Sequence, residues 1–244
     1  LDNMNDYYDV SLKEARLAQL TAHPNYRHHH LDLADREGMA ALFADARPDR
    51  VVHLAAQAGI RYSVENPETY VDSNIVGFLS VLQGCRDVGV GHLVFASTSS
   101  AYGANGALPY SVKQGVAHPL NVYSATKIAN EAMAHAYAYV FGLPCTGLRF
   151  FTVYGPWGRP DMALFKFTGA ILKGESIDVY GDGQMERDFT YIDDIVDGVI
   201  AALDAPAASD PTWNATAPDP STSGVAPWRI LNLGAGRRER LQRY

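Results

Sequence analysis

Basic residues are scarce in this 244-residue chain, and cysteines are scarcer still. Twenty Lys and Arg stand against 27 Asp and Glu, for a formal net charge of −7. That balance argues against nucleic acid or an anionic membrane as the main partner, though it leaves room for a local basic pocket that takes a phosphate-bearing ligand. The two cysteines, Cys85 and Cys145, both sit in apolar stretches. They read as packed thiols rather than a disulfide framework, which suits a reducing cytosol and a cytoplasmic protein. No apolar run approaches membrane-spanning length, and no signal peptide is visible. The His28, His29 and His30 run looks at first like a metal cluster. Alternation along a strand sends His29 to the opposite face from its neighbours, and no acidic or cysteine partner stands at ligand spacing, so no metal site is expected. The chain begins with Leu1 rather than methionine, and residues upstream are expected to be missing.

What is present is a substantial apolar fraction, 47% of residues, with 19% charged. That suffices for one large globular domain, or one plus part of a second. Strand-like and helix-like patterns alternate. "SLKEARLAQL" reads as a helix, "YRHHHLDL" as a strand and "DREGMAALFADA" as a helix. "DRVVHLAA" reads as a strand buried on both faces. Residues 67–88 carry helical spacing with Pro67 in the first turn, and "GHLVFAS" (91–97) is a second buried strand. A helix over 121–141 is closed by Gly142 with Pro144 beyond, and "PCTGLRFF" (144–151) is a third strand. Repeated β–α–β units predict a doubly wound α/β fold with a parallel sheet, the Rossmann class. After about residue 155 the pattern loosens: "DMALFKFTGAILKG" is helical, "SIDVYG" strand-like and "DDIVDGVIAALDA" helical. Residues 206–228, rich in Pro, Ser, Thr, Ala and Asp, read as a mobile surface loop, and "RILNLGAG" as a strand. The expected division is residues 1–155 as the dinucleotide-binding domain and 156–244 as a smaller substrate-binding α/β region. There are no internal repeats.

The chemistry concentrates in "NVYSATKIANE" (121–131), which places Tyr123 one helical turn from Lys127. A free phenol has a pKa near 10 and is a poor base at neutral pH. An ammonium on the same helical face stabilises the phenolate, so such a tyrosine can take a hydroxyl proton while hydride leaves the same carbon. The spacing alone recurs by chance. Its position gives it meaning, because it opens a helix after a strand ending in "ASTSSAYG" (96–103), and open α/β sheets bind ligands at that strand edge.

"DNMNDYYDVSLKEARLAQL", "HLAAQAGIRYSVENP", "YVDSNIVGFLSVL", "STSSAYG", "YSATK", "LRFFTVYGPWGRPDMALF" and "ERDFTYIDDIVDG" span nearly the whole chain. They resemble the extended short-chain dehydrogenase/reductases, nucleotide-sugar epimerase branch. The "YGPWGRPDMALF" and "RDFTYIDDIV" runs are most similar to the UDP-glucuronate 4-epimerases. The resemblance implies NAD as cofactor, a UDP-sugar as substrate, and a homodimer built by a four-helix bundle from the helices near 67–88 and 121–141. It makes Tyr123 the base and acid at the sugar C4 hydroxyl. Lys127 lowers its pKa and holds the nicotinamide ribose, and Thr98 bonds the same hydroxyl. Ser99 and Ser100 line the sugar carboxylate side. Asp2 binds the adenine ribose, and Asp32 and Leu33 form the adenine-binding turn. Ala55, Ala56 and Gln57 follow the cofactor phosphates and ribose, with Asn74 beneath the nicotinamide half. Thr152, Arg159 and Arg187 contact the sugar nucleotide, with Arg187 on the diphosphate. Tyr137, Tyr139 and Phe141 are read as core or interface.

Two departures bear on that reading. Related dehydratases and decarboxylases carry an acid between the Thr and "YG", whereas "TSSAYG" has none. A dehydratase is therefore disfavoured, and a uronate decarboxylase or a neutral UDP-sugar 4-epimerase is the alternative to UDP-glucuronate to UDP-galacturonate epimerisation. The Gly-x-x-Gly-x-x-Gly turn that lets a pyrophosphate approach a helix N-terminus is not in the sequence, and a later arginine of the family is also missing. A βα unit of about thirty residues is expected upstream. The reading from a different class is an inactive fragment or a non-catalytic binding module.

Overall fold

In the computed structural model, residues 1–240 are described, with only the backbone at 180 and 181. Local signals set most helix ends. Asp9 accepts from the Ser11 N–H at the start of α1 (Val10–Thr21), and Asp35 from the Gly38 N–H ahead of α2 (Arg36–Ala46). Both satisfy amides that a helix start leaves unpaired. β1 (Arg50–His53) and the single turn α3 (Tyr62–Glu65) follow. The expected helix over 67–88 is interrupted: Pro67 opens α4 (Pro67–Tyr70), a π-helical turn runs over Val71–Val76, and α5 continues over Gly77–Val88. A π turn admits an extra residue that apolar periodicity does not reveal. β2 (His92–Thr98) passes into a 3-10 turn over Ser99–Tyr102, and α6 (Val122–Phe141) is capped by Asn121 and closed by Gly142. β3 (Cys145–Phe150), β4 (Thr152–Tyr154), α7 (Ala163–Lys173), β5 (Glu186–Arg187) and β6 (Phe189–Tyr191) come next. The last elements are α8 (Ile192–Asp204), β7 (Trp228–Leu233) and β8 (Glu239–Arg240).

The chain forms two compact units, each discontinuous. The larger takes residues 32–150 and 196–233; the other takes 1–31, 151–195 and the chain from 234. These units are not separated by a single cut at residue 155. The larger unit is built on a four-stranded parallel sheet in the order β1-β2-β3-β7. Successive residues of a strand face opposite sides. Val94 of β2 packs with Ala202, Val199 and Leu203 of α8, whereas the Phe95 ring meets Phe78 of α5 at 5.3 Å. Helices thus cover both faces of β2, as the doubly wound expectation requires.

β1 departs from the expectation of burial on both faces. It lies at the sheet edge with β2 as its neighbour, and Val52 and Leu54 are 37% and 57% exposed. A β-branched run reports strand propensity, not the number of neighbours the strand will have. In the smaller unit, β4 pairs with β6 in parallel and β5 with β8 antiparallel. "YRHHHLDL" forms no strand there, only an isolated bridge between His30 and Asp2, and "SIDVYG" runs into a 3-10 turn at Tyr180–Gly183. Both runs have strand composition but lack a partner backbone for a ladder.

The expected loop over 206–228 ends at residue 227, because β7 begins at Trp228, and it is more built up than its composition suggests. Asp210, Asn214 and Asp219 each accept from a backbone N–H and a hydroxyl two residues on, and Trp213 Nε1 donates to the Asp219 carbonyl. Such turns satisfy backbone groups without a core. Cys85 and Cys145 are free and buried, and burial pushes the Cys85 thiol up to about 12. Among the described residues, no helix is long and apolar enough to cross a membrane.

A buried ion pair ties the sheet to α6. Arg149 of β3 donates from Nε and Nη2 to Glu131 at 2.9 and 2.8 Å, and Ser97 of β2 donates to the same carboxylate at 2.5 Å. The guanidinium lies 4.9 Å from the Tyr102 ring, and the Tyr102 hydroxyl donates to Asn232 of β7 at 2.6 Å. Removing one partner of such a pair costs about 3–5 kcal/mol, because a buried charge is stranded.

Tight packing between α2 and α5 makes a direct stability test. A Cβ at Gly84 would fall 2.4 Å from the Phe43 ring, whereas one at Gly106 would meet nothing within 4 Å. Gly84→Ala is expected to lower stability in urea unfolding by about 1–3 kcal/mol through overpacking. Gly106→Ala should leave the midpoint unchanged.

Candidate active site

The site begins where β2 ends. Thr98 is buried, and its Oγ1 accepts from the Ser100 N–H at 3.1 Å, which starts the 3-10 turn. Ser99 and Ser100 are half-buried on that turn, so their hydroxyls are available at the carboxyl end of a central strand. Gly103 ends the turn at φ 54°, where a Cβ would lie 2.0 Å from the His118 carbonyl oxygen. Only glycine permits both that conformation and that approach.

α6 supplies the candidate pair, Tyr123 and Lys127. Asn121 Oδ1 accepts from the Ser124 N–H and hydroxyl at 2.8 and 2.9 Å, fixing the first turn. Tyr123 is half-buried in that turn, its ring edge-on to Tyr70 at 6.2 Å. Lys127 follows one turn later on the same face. It is only 2% exposed, and its Nζ donates to the Ala96 carbonyl of β2 at 2.9 Å. Two of its three N–H bonds have no acceptor among the described residues. Burial pushes its pKa down to about 8. Burial, then the Lys127 charge, hold His53 at about 3. The imidazole at the end of β1 is therefore neutral at physiological pH and adds no second positive charge beside the ammonium.

Behind the pair lies a neutral network. Gln57 N–H donates to Asn74 Oδ1 at 2.8 Å, and Asn74 Nδ2 donates to the Gln57 carbonyl and Thr126 Oγ1 at 3.0 and 3.1 Å. Thr126 Oγ1 donates to the Tyr123 carbonyl at 2.8 Å. The Asn74 side chain is thus committed to holding Gln57, the end of the half-buried Ala55 and Ala56 loop. Leu33 is a core residue, against which a Cβ on Gly77 would collide at 2.6 Å; it can offer a ligand only its backbone. Asp32 Oδ1 accepts from the Ala34 N–H at 2.8 Å. Tyr123, Lys127, Thr98, Ser99, Ser100, Asp32, Leu33, Ala55, Ala56, Gln57 and Asn74 all belong to the larger unit.

Asp2, Thr152, Arg159 and Arg187 belong to the smaller unit. The Asp2 carboxylate is about half exposed and accepts from the Met4 N–H at 2.7 Å. Thr152 is half-buried on β4. The two arginines differ. Arg159 is held bidentately by Asp161 at 3.0 and 2.8 Å, and Tyr7 also donates to that carboxylate. Arg187 is exposed, bonded to the Glu186 carbonyl and Met185 sulfur, with no carboxylate partner among the described residues.

Sequence reasoning passed over Thr126, Asn130, Glu131, Arg149 and Asp161. One signal was available: Arg149 interrupts an otherwise apolar strand, and a charge in a doubly covered strand requires a buried partner. The residues present fit NAD at one telling point, the buried ammonium whose two unpaired donors suit a hydroxyl-bearing ligand.

Residues 5–215 match the NAD dependent epimerase/dehydratase family. An uncharacterised 37.6 kDa protein of Escherichia coli O111:H- is 54% identical over all of this chain, which covers 72% of it. A probable UDP-glucuronate 4-epimerase of Rhizobium meliloti is 45% identical over 100% of this chain and 71% of its own length. Among solved structures, the UDP-glucuronic acid 4-epimerase of Bacillus cereus, in complex with UDP-glucuronic acid and NAD, matches at TM-score 0.83 and 28% identity. The match covers 99% of this chain and 70% of that one. The chain belongs to the NAD dependent epimerase/dehydratase family, as an NAD-dependent enzyme of its nucleotide-sugar 4-epimerase branch.

Proposed function

We propose that the protein interconverts UDP-glucuronate and UDP-galacturonate at C4. The observation that carries this is the Tyr123–Lys127 turn, with its desolvated ammonium, packed on the hydroxyl-rich end of β2. NAD, when bound, supplies hydride acceptance and return at C4. Tyr123 takes the C4 hydroxyl proton and gives it back once the sugar has turned its other face. Lys127 stabilises the phenolate during that interval, and Thr98 bonds the same oxygen. Asp2, Asp32, Leu33 and Ala55 to Gln57 hold the dinucleotide, the alanines and Leu33 through backbone. Arg187, with no carboxylate to occupy it, takes the diphosphate, whose oxygens match a planar guanidinium. Thr152 and Arg159 contact the sugar nucleotide.

A uronate makes the 4-keto state hazardous, because it is a β-keto acid prone to lose carbon dioxide. Ser99 and Ser100, with Thr98, hold the carboxylate out of the alignment that favours that loss. The absence of an acid between Thr98 and Tyr102 supports epimerisation over dehydration. Incubation with UDP-glucuronate, without added NAD, is expected to give UDP-galacturonate, and Tyr123→Phe should lower kcat by about 100- to 10,000-fold. The Ser99→Ala/Ser100→Ala double variant should release UDP-pentose and carbon dioxide. UDP-pentose as the main wild-type product would instead identify a decarboxylase.

The Lys127 charge also sets a pH window. With a folded pKa of about 8 against 10.5 for the exposed group, the ammonium is lost above about pH 8. The kcat/KM profile, which reports the free enzyme, should therefore carry a high-pH limb near 8, and a profile flat to pH 10 would remove the electrostatic role. Stability moves the opposite way. Between these two values the unfolded chain binds the extra proton, so the cost of burying Lys127, on the order of 3 kcal/mol, is relieved as pH rises.

The homodimer rests on exposed apolar side chains. Tyr139 and Val140 of α6 are 63% and 62% exposed, Val71 of the π turn is 46% exposed, and Phe141 is also exposed. Of the aromatics expected in core or interface, only Tyr137 is half-buried, which favours the interface reading. Light scattering at micromolar concentration should give twice the monomer mass, and Tyr139→Lys should halve it; a wild-type monomer overturns this part.

A further inference from the structure

The π-helical turn over Val71–Val76 has a second contact with α6 that the reaction scheme does not use. Asn130 is 1% exposed, and its Nδ2 donates to the Asn74 backbone carbonyl at 2.6 Å. A π turn departs from the i to i−4 ladder, and here a side chain from another helix meets one of its carbonyls. Asn130 lies one turn beyond Thr126, whose Oγ1 accepts from the Asn74 side chain at 3.1 Å. Residues 123, 126, 127 and 130 share one face of α6, since i, i+3, i+4 and i+7 do so. The same face therefore presents Tyr123 and Lys127 and grips Asn74 at both its side chain and its backbone. Asn74 in turn holds Gln57 by N–H and carbonyl together.

We infer that Asn130 is a positioning residue. Its amide clamps the π turn to α6, so that Gln57 of the loop after β1 and the Tyr123–Lys127 face keep a single register. No charge is involved in the clamp. The alternative anchor on this helix, the Glu131–Arg149 pair, grips β2 and β3 rather than the π turn. The two anchors therefore serve different partners. This inference rests on Tyr123 and Lys127 being the reacting pair.

Asn130→Leu keeps the branched heavy-atom outline, with some added volume, and removes the donor. It should lower kcat about tenfold, about 1.4 kcal/mol, with KM for UDP-glucuronate and bound NAD content unchanged. Amide hydrogen exchange at Gln57, measured without substrate, should accelerate by a similar factor. Thr126→Val, nearly isosteric, breaks the companion contact and should act in the same direction. The double variant should lose less than the product of the two single losses, because both act through Asn74. If Asn130→Leu does not fold, Asn130→Ala, which also lacks the donor, decides the matter by the same readouts of kcat and Gln57 exchange. Wild-type kcat and Gln57 protection in the folded variants, or a loss confined to Tm, would overturn the clamp. Tyr123→Phe run alongside separates the two readings. Retained activity in that variant overturns the function, whereas a silent Asn130→Leu in an enzyme that Tyr123→Phe inactivates overturns the clamp alone.

Discussion

A lysine ammonium held out of water against a single backbone carbonyl is the constraint around which this structure is arranged. Lys127 meets Ala96 at 2.9 Å and no carboxylate among the described residues. Burying an uncompensated charge is unfavourable by several kcal/mol, so the surroundings must hold it firmly or the helix would shift to hydrate it. α6 is accordingly fixed at its start by Asn121, in its middle by Glu131 on the sheet, and at its end by Gly142. In the proposed reaction that buried charge has a use. A charge with unmet donors stabilises an anion far more than one already paired, because the interaction takes place in a medium of lowered dielectric.

Around that charge the polar groups divide by kind. The ionic anchor, Glu131 with Arg149, takes a further hydrogen bond from Ser97 to the carboxylate and lies on the β2 and β3 side of the helix. The neutral amides and hydroxyls of Gln57, Asn74, Thr126 and Asn130 lie toward the π turn. A second carboxylate near Lys127 would raise its pKa and quench its pull on a phenolate. His53, neutral through burial, adds no second positive charge there. Of the two arginines proposed to meet the sugar nucleotide, Arg159 is already paired with Asp161, whereas Arg187 is not.

Much of this was legible in the sequence, and the parts that were share a feature. Asn121, Gly142 and Pro67 act on neighbours within a turn, so the helix ends they mark appear where expected. The Tyr123 and Lys127 spacing and the "TSSAYG" strand end are likewise local. What could not be read depends on partners distant in the chain. "YRHHHLDL" and "SIDVYG" have strand composition without a ladder to join, and β1 has a neighbour on one side. The π turn is invisible because a shift of one residue leaves an apolar pattern nearly intact. Asn130 lies 56 residues from Asn74, and Asp161 lies 154 from Tyr7. Arg149 alone announced that a hidden partner must exist.

The central claim is that Lys127 is a desolvated, unpaired ammonium, and its titration tests this most directly. Protein labelled with 15N at the lysine side chains, with Lys127→Met as the assignment control, can be followed by NMR from pH 6 to 11 in the absence of substrate. The account requires one lysine to titrate near 8, and its signal to vanish in the variant. A Lys127 resonance titrating near 10.5, with the exposed lysines, would contradict it.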